Sequence, residues 1–207
     1  MEVGSVRKKR KYQPAKSLHQ SMTSRKLYYI CMGLLLAACS QPPPKVDKGL
    51  LAQAEQGDAE AQMKVGLAFD GMEDYEEAAR WYALAAEQGV SEAQNNLGVL
   101  YKDGQGVGQD FEEAARWFKM AAQQGNTLSQ LNLGWLYHAG KGVSQNADSA
   151  RYWYTLAAEK GHATAQLNLG ILCLQQGDTL RAIGHLRRAA GQGNEGAQHI
   201  LNKIDHL

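Results

Sequence analysis

The chain has 207 residues, with 22 lysines and arginines against 21 aspartates and glutamates, and 44% of its residues are hydrophobic. This length allows one domain or at most two, and a net charge of +1 excludes nucleic-acid binding that rests on overall positive charge. Charged residues make up 21% of the chain and prolines number 4, so most of it should fold. Three cysteines are too few for a disulfide framework.

The positive charge is concentrated at the amino terminus. Residues 1–38 contain eight basic residues and one acidic residue, so the remainder of the chain is net acidic. The last part of this segment, from Leu27 to Ala38, is an uncharged run of twelve residues, shorter than the roughly 20 helical residues that cross a bilayer. A basic stretch before a short apolar run is typical of a secretory signal. Residues 1–38 are therefore predicted to be a signal peptide, and Met22 is an alternative start.

The signal ends in Leu36-Ala37-Ala38-Cys39, which resembles a bacterial lipobox. The resemblance to lipoprotein precursors implies cleavage before Cys39, a thioether-linked diacylglycerol on its sulfur and an acylated new amino terminus. Ser40, rather than Asp, implies export to the outer membrane in such lipoproteins. Residues 39–49, with three consecutive prolines, are predicted to be a stiff, extended tether. The alternative is an ordinary signal peptide in which Cys39 is an incidental thiol.

From residue 50 onward the sequence repeats itself. One glycine series closes each copy of an Ala-x-x-Gly ending and steps by 32, 36, 36 and 32 residues: Gly57, Gly89, Gly125, Gly161 and Gly193. A second series steps by 32, 36 and 36 residues: Gly66, Gly98, Gly134 and Gly170. The common spacing of the two series divides residues 50–207 into repeats at about 58–89, 90–125, 126–161 and 162–193, followed by a capping helix at 194–207.

Each repeat is predicted to contain two helices. In the first helix, Ala93, Leu97 and Leu100 lie at helical spacing and form a core-facing stripe. Gly98 costs this helix roughly 1 kcal/mol relative to alanine, which suggests that a neighbouring helix approaches closely there. The second helix follows an N-cap residue at one register: Asp74, Asp110, Asn146 and Asp178. Glu77 and Glu113, three residues later, fit a capping box, and the closing glycine of each repeat fits a left-handed C-cap.

These motifs resemble the Sel1-like repeat, a relative of the tetratricopeptide repeat. The resemblance covers residues 50–207 and rests on an Ala-Gln-x-x-Leu-Gly-x-x-Tyr first helix, an Ala-Ala-x-x-Gly ending and the loops Gly104-Gln105-Gly106-Val107 and Gly140-Lys141-Gly142-Val143. It implies an all-α fold, a right-handed α-solenoid of antiparallel helix pairs in which neighbouring units stabilise one another. The first and fourth repeats lack four residues of the loop. The half repeat at the end is expected to cap the solenoid.

The sequence offers little support for catalysis, a cofactor or a metal. The Gly-x-Gly loops neither follow a strand nor precede a Lys-Ser/Thr pair, and the six histidines form no metal-binding pattern. Cys173 stands where other first helices carry Phe69, Tyr101 and Tyr137, and is interpreted as a small core residue. Some secreted relatives carry a cysteine pair in each unit and have been linked to β-lactam binding, but this sequence lacks those pairs. We therefore expect a protein that is not an enzyme.

The surface expected to bind a partner is the inner face of the solenoid, which the first helices line in the tetratricopeptide superfamily. Residues at i, i+4 and i+7 share a helix face, and apolar surface of this kind usually marks a binding site. The predicted groove residues are Met63, Leu67, Asn95, Val99, Lys102, Leu131, Trp135, His138, Leu167, Ile171 and Leu174. The alternative is that a tight superhelix buries these residues against adjacent units or the cap.

Together these features predict a lipid-anchored protein–protein interaction module of the bacterial cell envelope, an adaptor or assembly factor on the outer membrane that faces the periplasm. Its expected partner is a segment of another envelope protein, with Trp135 as the anchor in the groove. Two alternatives remain open: an envelope enzyme or ligand-binding protein for peptidoglycan or β-lactams, and a secreted host-interaction factor. The acidic body argues against nucleic acid as a partner.

Overall fold

A computed structural model describes residues 46–206. This range forms ten α-helices and no strand: α1 (Lys48–Glu55), α2 (Ala59–Asp70), α3 (Tyr75–Glu87), α4 (Ser91–Asp103), α5 (Phe111–Gln123), α6 (Thr127–Ala139), α7 (Ala147–Glu159), α8 (Ala163–Gln175), α9 (Thr179–Gly191) and α10 (Glu195–Asp205). The all-α prediction is confirmed. The predicted signal peptide, Cys39 and most of the predicted tether lie outside the described residues.

The helices of residues 46–206 form a solenoid. Each helix packs mainly against the helices immediately before and after it in the chain. The four repeats are the pairs α2/α3, α4/α5, α6/α7 and α8/α9, and their buried residues fall into separate clusters along the series. Packing of each unit on its neighbours is the property that defines a repeat solenoid, so the predicted solenoid of helix pairs is confirmed.

The first helix begins two residues before the predicted boundary at residue 50. Leu50 N donates to Asp47 Oδ1 at 2.9 Å, and this cap makes Lys48 and Gly49 helical rather than part of the tether. A buried cluster joins α1 to α2: Ala54, Ala61 and Val65. Since α1 ends in the Ala-x-x-Gly pattern, it corresponds to the second helix of an incomplete repeat that precedes the first full one.

The predicted N-cap residues do cap the second helices, but the predicted glutamates do not complete a capping box. The four predicted N-cap side chains each accept from a backbone N–H: Asp74, Asp110, Asn146 and Asp178. The capping-box prediction is wrong for the two glutamates, because Glu77 pairs with Arg80 and Glu113 with Arg116, one turn later. The acids at these helix starts therefore act through an i,i+3 ion pair and the helix dipole.

The glycine in each first helix makes room for a side chain of the second helix. A Cβ at Gly98 would lie 2.8 Å from the Phe118 ring, and one at Gly134 would lie 2.6 Å from the Tyr154 ring. Both rings are fully buried. The predicted close approach is therefore confirmed. In the first three repeats the residue that fills the space is the aromatic residue that directly follows a tryptophan, and in the fourth it is Leu186.

In the first, second and fourth repeats, a buried glutamine joins the first helix to the helices before and after it. Gln94 Nε2 donates to the Ala86 carbonyl at 3.0 Å, and Gln94 Oε1 accepts from Gln124 Nε2 at 2.8 Å. Gln62 and Gln166 make the same two bonds in the first and fourth repeats. The same carbonyls also accept from the N–H of the closing glycine, as Ala86 O does from Gly89 N at 3.0 Å. Since a carbonyl has two lone pairs, each glutamine adds a second hydrogen bond at the helix end and ties that end to the next repeat.

The Gly-x-Gly-Val loops of the second and third repeats reach back to the repeat before them. Gly142 has φ +66°, and a Cβ there would overlap the carbonyl of Phe111, the first residue of α5. Gly106 bears the same relation to Tyr75, the first residue of α3. Only glycine lets two backbones approach so closely. Val143 packs on the buried cluster beside Phe111, so the loop covers the start of the preceding second helix.

Candidate functional site

Two open surfaces meet at Trp135 on α6. The first, which we call the groove, crosses α4, α6 and α8 and encloses about 250 Å³; its lining residues are Lys102, Leu131, Asn132, Trp135, Thr164 and Asn168. The second, which we call the cleft, lies between the ends of α6 and α8 and the start of α7. It encloses about 660 Å³, and its lining residues are Trp135, His138, Ala139, Gln145, Ala147, Leu172 and Gln175.

Trp135 is packed on one side and accessible on the other. The centroid of its ring lies 6.5 Å from that of Phe111, and Lys141 Nζ lies 5.3 Å from the centroid. The ammonium and the ring attract one another, which restrains the indole. The side chain is nevertheless 37% exposed. A restrained, partly exposed tryptophan is the type of residue that contributes most to binding energy at protein interfaces.

The groove combines apolar surface with amide groups. Leu131 and Trp135 supply the apolar part. Asn132 on α6 and Asn168 on α8 occupy the same register in consecutive repeats, and each amide can both donate and accept a hydrogen bond. Lys102 contributes positive charge at the rim, 3.2 Å from Asp103. This arrangement fits an extended segment, whose peptide groups can pair with amides while its side chains contact Leu131 and Trp135.

Two of the predicted groove residues lie in the interior. Met63 is 9% exposed and Asn95 is 5% exposed. Met63 belongs to the buried cluster between the first and second repeats, and Asn95 Oδ1 accepts from Ser129 Oγ at 2.9 Å. Their placement in the groove is therefore wrong, because in the first two repeats this position lies at the seam where one repeat packs on the next. The equivalent Leu131 of the third repeat does line the groove.

Other predicted residues divide between the open surfaces and the packing between repeats. Lys102, Leu131 and Trp135 line the groove, while His138 joins Trp135 in the cleft. Several apolar positions are half-buried: Val99, Leu131, Leu167, Ile171 and Leu174. Among them Leu167 and Leu174 pack on the cluster that includes the capping helix α10. Leu67 is 48% exposed on α2 and lines neither surface. The alternative of burial against adjacent units or the cap thus holds for part of the predicted set.

The groove is also lined by three residues that the sequence did not predict: Asn132, Thr164 and Asn168. A signal was present, because asparagine recurs at one register of three repeats: Asn96, Asn132 and Asn168. Because the groove was predicted from apolar residues on one helix face, this recurring polar position did not enter the prediction.

The described residues offer little chemistry for catalysis. Within residues 46–206 no group of three or more histidine, cysteine or acidic side chains is placed to hold a metal ion. Cys173 lies in a buried cluster, as predicted. Burial, with the negative charge of Asp178 nearby, raises the pKa of its thiol, which disfavours the thiolate that acts as a nucleophile. No helix in the same range is long and apolar enough to cross a membrane.

The fold defines an α-solenoid repeat protein, and the groove and the cleft are open surfaces on it. The profile of the Sel1 repeat matches residues 59–90, 91–126, 127–162 and 163–194. The chain therefore belongs to the Sel1 repeat family. Repeat proteins of this family generally mediate protein–protein interactions, and their scaffolds are typically non-catalytic.

Solved structures of the same family share the fold. A protective antigen of uropathogenic Escherichia coli with an SLR fold is 36% identical, with a TM-score of 0.71, over 75% of this chain and 35% of that one. A Sel1 repeat protein from Oxalobacter formigenes is 32% identical, with a TM-score of 0.65, over 75% of this chain and 65% of that one. The chain thus spans about a third of the first protein's length and just under two thirds of the second's.

The fold also extends to a tetratricopeptide protein, YrrB, which has an unusual peptide-binding site. It is 20% identical, with a TM-score of 0.51, over 88% of this chain and 96% of that one, a likeness of fold alone. None of the curated protein sequences compared with this chain matches it.

Proposed function

We propose that this protein is a lipid-anchored interaction module of the bacterial cell envelope, which holds an extended segment of another envelope protein in the groove. The observation that carries the proposal is the groove itself, where Trp135 stands beside asparagines of consecutive repeats. Membership of a family of interaction modules supports binding as the activity. The protein would act as an adaptor or assembly factor without catalysis, on the outer membrane and facing the periplasm.

The proposed anchor is the lipid on Cys39. The lipobox-like sequence Leu36-Ala37-Ala38-Cys39 and the prolines that follow support it. Several acyl chains at about 0.8 kcal/mol per buried CH₂ hold a protein at a membrane where a single chain binds reversibly. An anchor with a stiff tether would place the groove in reach of proteins close to the same membrane.

Replacing Cys39 should remove the lipid. Cells that express the wild-type chain with labelled palmitate should give a labelled protein, and Cys39→Ser should give none, because serine lacks the sulfur that takes the diacylglycerol. Cys31→Ser, a change of the cysteine within the predicted signal peptide, serves as the matched control and should leave the label unchanged. Equal labelling of wild type and Cys39→Ser would disprove the anchor.

Removing the Trp135 side chain should weaken partner binding. Crosslinking in intact envelopes identifies the captured protein, and titration of its purified segment then gives the affinity. Trp135→Ala should weaken that affinity by more than about 1 kcal/mol, with the helical circular dichroism unchanged because the side chain is partly exposed. Asn168→Ala should also weaken it, through loss of a groove amide.

The matched control for Trp135 is Tyr152, an exposed aromatic residue on α7 that lines neither surface. Tyr152→Ala removes a comparable exposed ring and should leave the affinity within a factor of two of wild type. If Trp135→Ala and Asn168→Ala bind as tightly as wild type, the partner does not use the groove and this part of the proposal fails.

A further inference from the structure

The fourth repeat joins its two helices by a shorter link than its neighbours. Seven residues connect the helices in the second and third repeats, residues 104–110 and 140–146, but only three do so in the fourth, residues 176–178. The same backbone hydrogen bond closes each link at 2.9 Å: Asp110 N to Tyr101 O, Asn146 N to Tyr137 O and Asp178 N to Cys173 O. The fourth repeat has therefore lost four residues of loop while its helices keep the common register.

The missing loop has a defined place in the solenoid. In the second and third repeats the loop glycine lies against the first residue of the preceding second helix, which is Tyr75 or Phe111. The next member of that series is Ala147 at the start of α7, and Ala147 is exposed. Alanine in place of an aromatic ring enlarges the space further.

The cleft lies where this loop would lie. Its walls include Ala147 from the start of α7 and Leu172 and Gln175 from the end of α8, the elements that a seven-residue link in the fourth repeat would cover. Its volume of about 660 Å³ falls in the range of ordinary ligand sites. Two sequence changes in one place, a shortened loop and the small Ala147, thus account for its presence.

The walls of the cleft are joined to one another. His138 Nε2 and Gln175 Oε1 lie 3.0 Å apart, which links the end of α6 to the end of α8. The His138 ring also packs edge-on against the Tyr154 ring, with 6.4 Å between centroids. A site whose walls are already fixed loses less entropy when a ligand binds than one that must be ordered by it.

We propose that the cleft is a second binding site, which takes a peptide segment of a partner protein with the pattern Gly-x-Gly followed by a β-branched residue. The two loops that fill the equivalent positions define this chemistry. Each carries a glycine that meets a backbone carbonyl, then a valine, Val107 or Val143, packed on a buried cluster. A partner segment of this pattern would supply from outside what the fourth repeat lacks.

The site is separate from the groove of the proposed function. Ala147, Leu172 and Gln175 line only the cleft, whereas Asn168 lines only the groove. Trp135 lines both, so it is not used to test the cleft. An experiment that disproves binding at the cleft therefore does not disprove binding at the groove, and the reverse also holds.

The test uses the full chain and a capped synthetic peptide with the sequence of residues 139–146, the loop of the third repeat. We expect saturable binding, seen as shifts of the Ala147 and Leu172 methyl resonances. A peptide with alanine in place of Gly142, the glycine that lies against the Phe111 carbonyl in the folded loop, should bind at least ten-fold more weakly, since its Cβ would meet the backbone of α7. Absence of binding, or equal binding of the two peptides, would overturn the proposal.

Two variants change the cleft in opposite ways. Ala147→Phe restores the aromatic residue beside which the loop of the third repeat packs, so it should raise the affinity for the peptide, while Ala52→Phe, at an exposed alanine of α1, should not change it. A second variant replaces Gln176 and Gly177 by a copy of residues 140–145, so that the chain covers its own cleft. That variant should melt at a higher temperature and bind no peptide.

Two results would contradict this assignment. Peptide binding by the loop-restored variant at the wild-type level would show that the cleft is not its site. If instead the peptide does not bind, and the loop-restored variant dissociates a dimer in sedimentation experiments, the occupant is a second copy of this chain and the proposed peptide partner is wrong.

Discussion

Gly142→Ala should lower the free energy of unfolding by about 2–4 kcal/mol, as measured by urea denaturation. The left-handed backbone at φ +66° costs a residue with a Cβ about 1–2 kcal/mol. The added Cβ would also overlap the Phe111 carbonyl, and a backbone group anchored at the start of a helix cannot rotate away as a side chain does. The loop must therefore lift, which also exposes Val143.

The matched control for this change lies in the loop of the second repeat. Gly108 has no atom within 4 Å of an added Cβ and does not adopt a positive φ. Gly108→Ala should therefore change stability by no more than about 0.5 kcal/mol. If Gly108→Ala and Gly142→Ala lowered stability equally, the loops would be sensitive to any added side chain. The contact with Phe111 would then not explain the destabilisation.

Gly98→Ala should destabilise the protein although alanine is the better helix former. The gain in helix propensity is about 1 kcal/mol, but the new Cβ would lie 2.8 Å from Phe118. Phe118 is fully buried, so the overlap is relieved only by moving α5 away from α4. Overpacking of a tight core costs about 1–3 kcal/mol, and the net loss should appear as a lower midpoint in urea.

Alanine should instead raise the free energy of unfolding where it replaces a helical glycine that has no close neighbour. Gly184 lies inside α9 with no atom within 4 Å of an added Cβ. Gly184→Ala should raise stability by up to about 1 kcal/mol, since propensity acts there alone. If both alanine variants were stabilising, the ring over Gly98 would not be a tight contact in solution.

The repeat architecture could be predicted because it rests on local signals that recur. The first-helix glycines and the N-cap residues each appear once per repeat at one register, so four copies reinforce one another. A glycine that lowers helix propensity and still recurs indicates a close contact, and Gly98 and Gly134 make it. The recurring glutamines carried a similar signal, since a polar residue repeated in a core-facing stripe indicates a buried hydrogen bond.

The groove could be predicted only in part, because sequence periodicity does not set the angle between adjacent repeats. Leu131 and Trp135 face an open surface, while Asn95, one repeat before Leu131, is buried at the seam. Equivalent positions in different repeats therefore differ in exposure. The cleft could not be predicted from the repeat pattern, because it arises where one repeat differs from the two before it: the fourth repeat lacks four loop residues, and Ala147 replaces an aromatic residue. Its position becomes clear only when the structure shows which surface the other loops cover.

The third repeat breaks the glutamine pattern at its end. Lys160 occupies the position of Gln124 and donates to the Gly125 carbonyl instead. Gln130 Oε1 is therefore buried without a hydrogen-bond partner within the described part of the chain. An unsatisfied buried polar atom costs about 1–3 kcal/mol, so the junction between α6 and α7 carries a local cost that the other repeats avoid.

The hydrogen bond that closes each link between paired helices separates loop length from helix position. Asn146 N and Asp178 N reach their acceptors at the same 2.9 Å, although the two links differ by four residues. Insertions and deletions at this point thus leave the register of both helices intact. Loops of different length can therefore be gained or lost in evolution here without moving the helices. A designer could graft new loops at the same place, provided that a loop longer than three residues keeps a glycine where it meets the preceding helix.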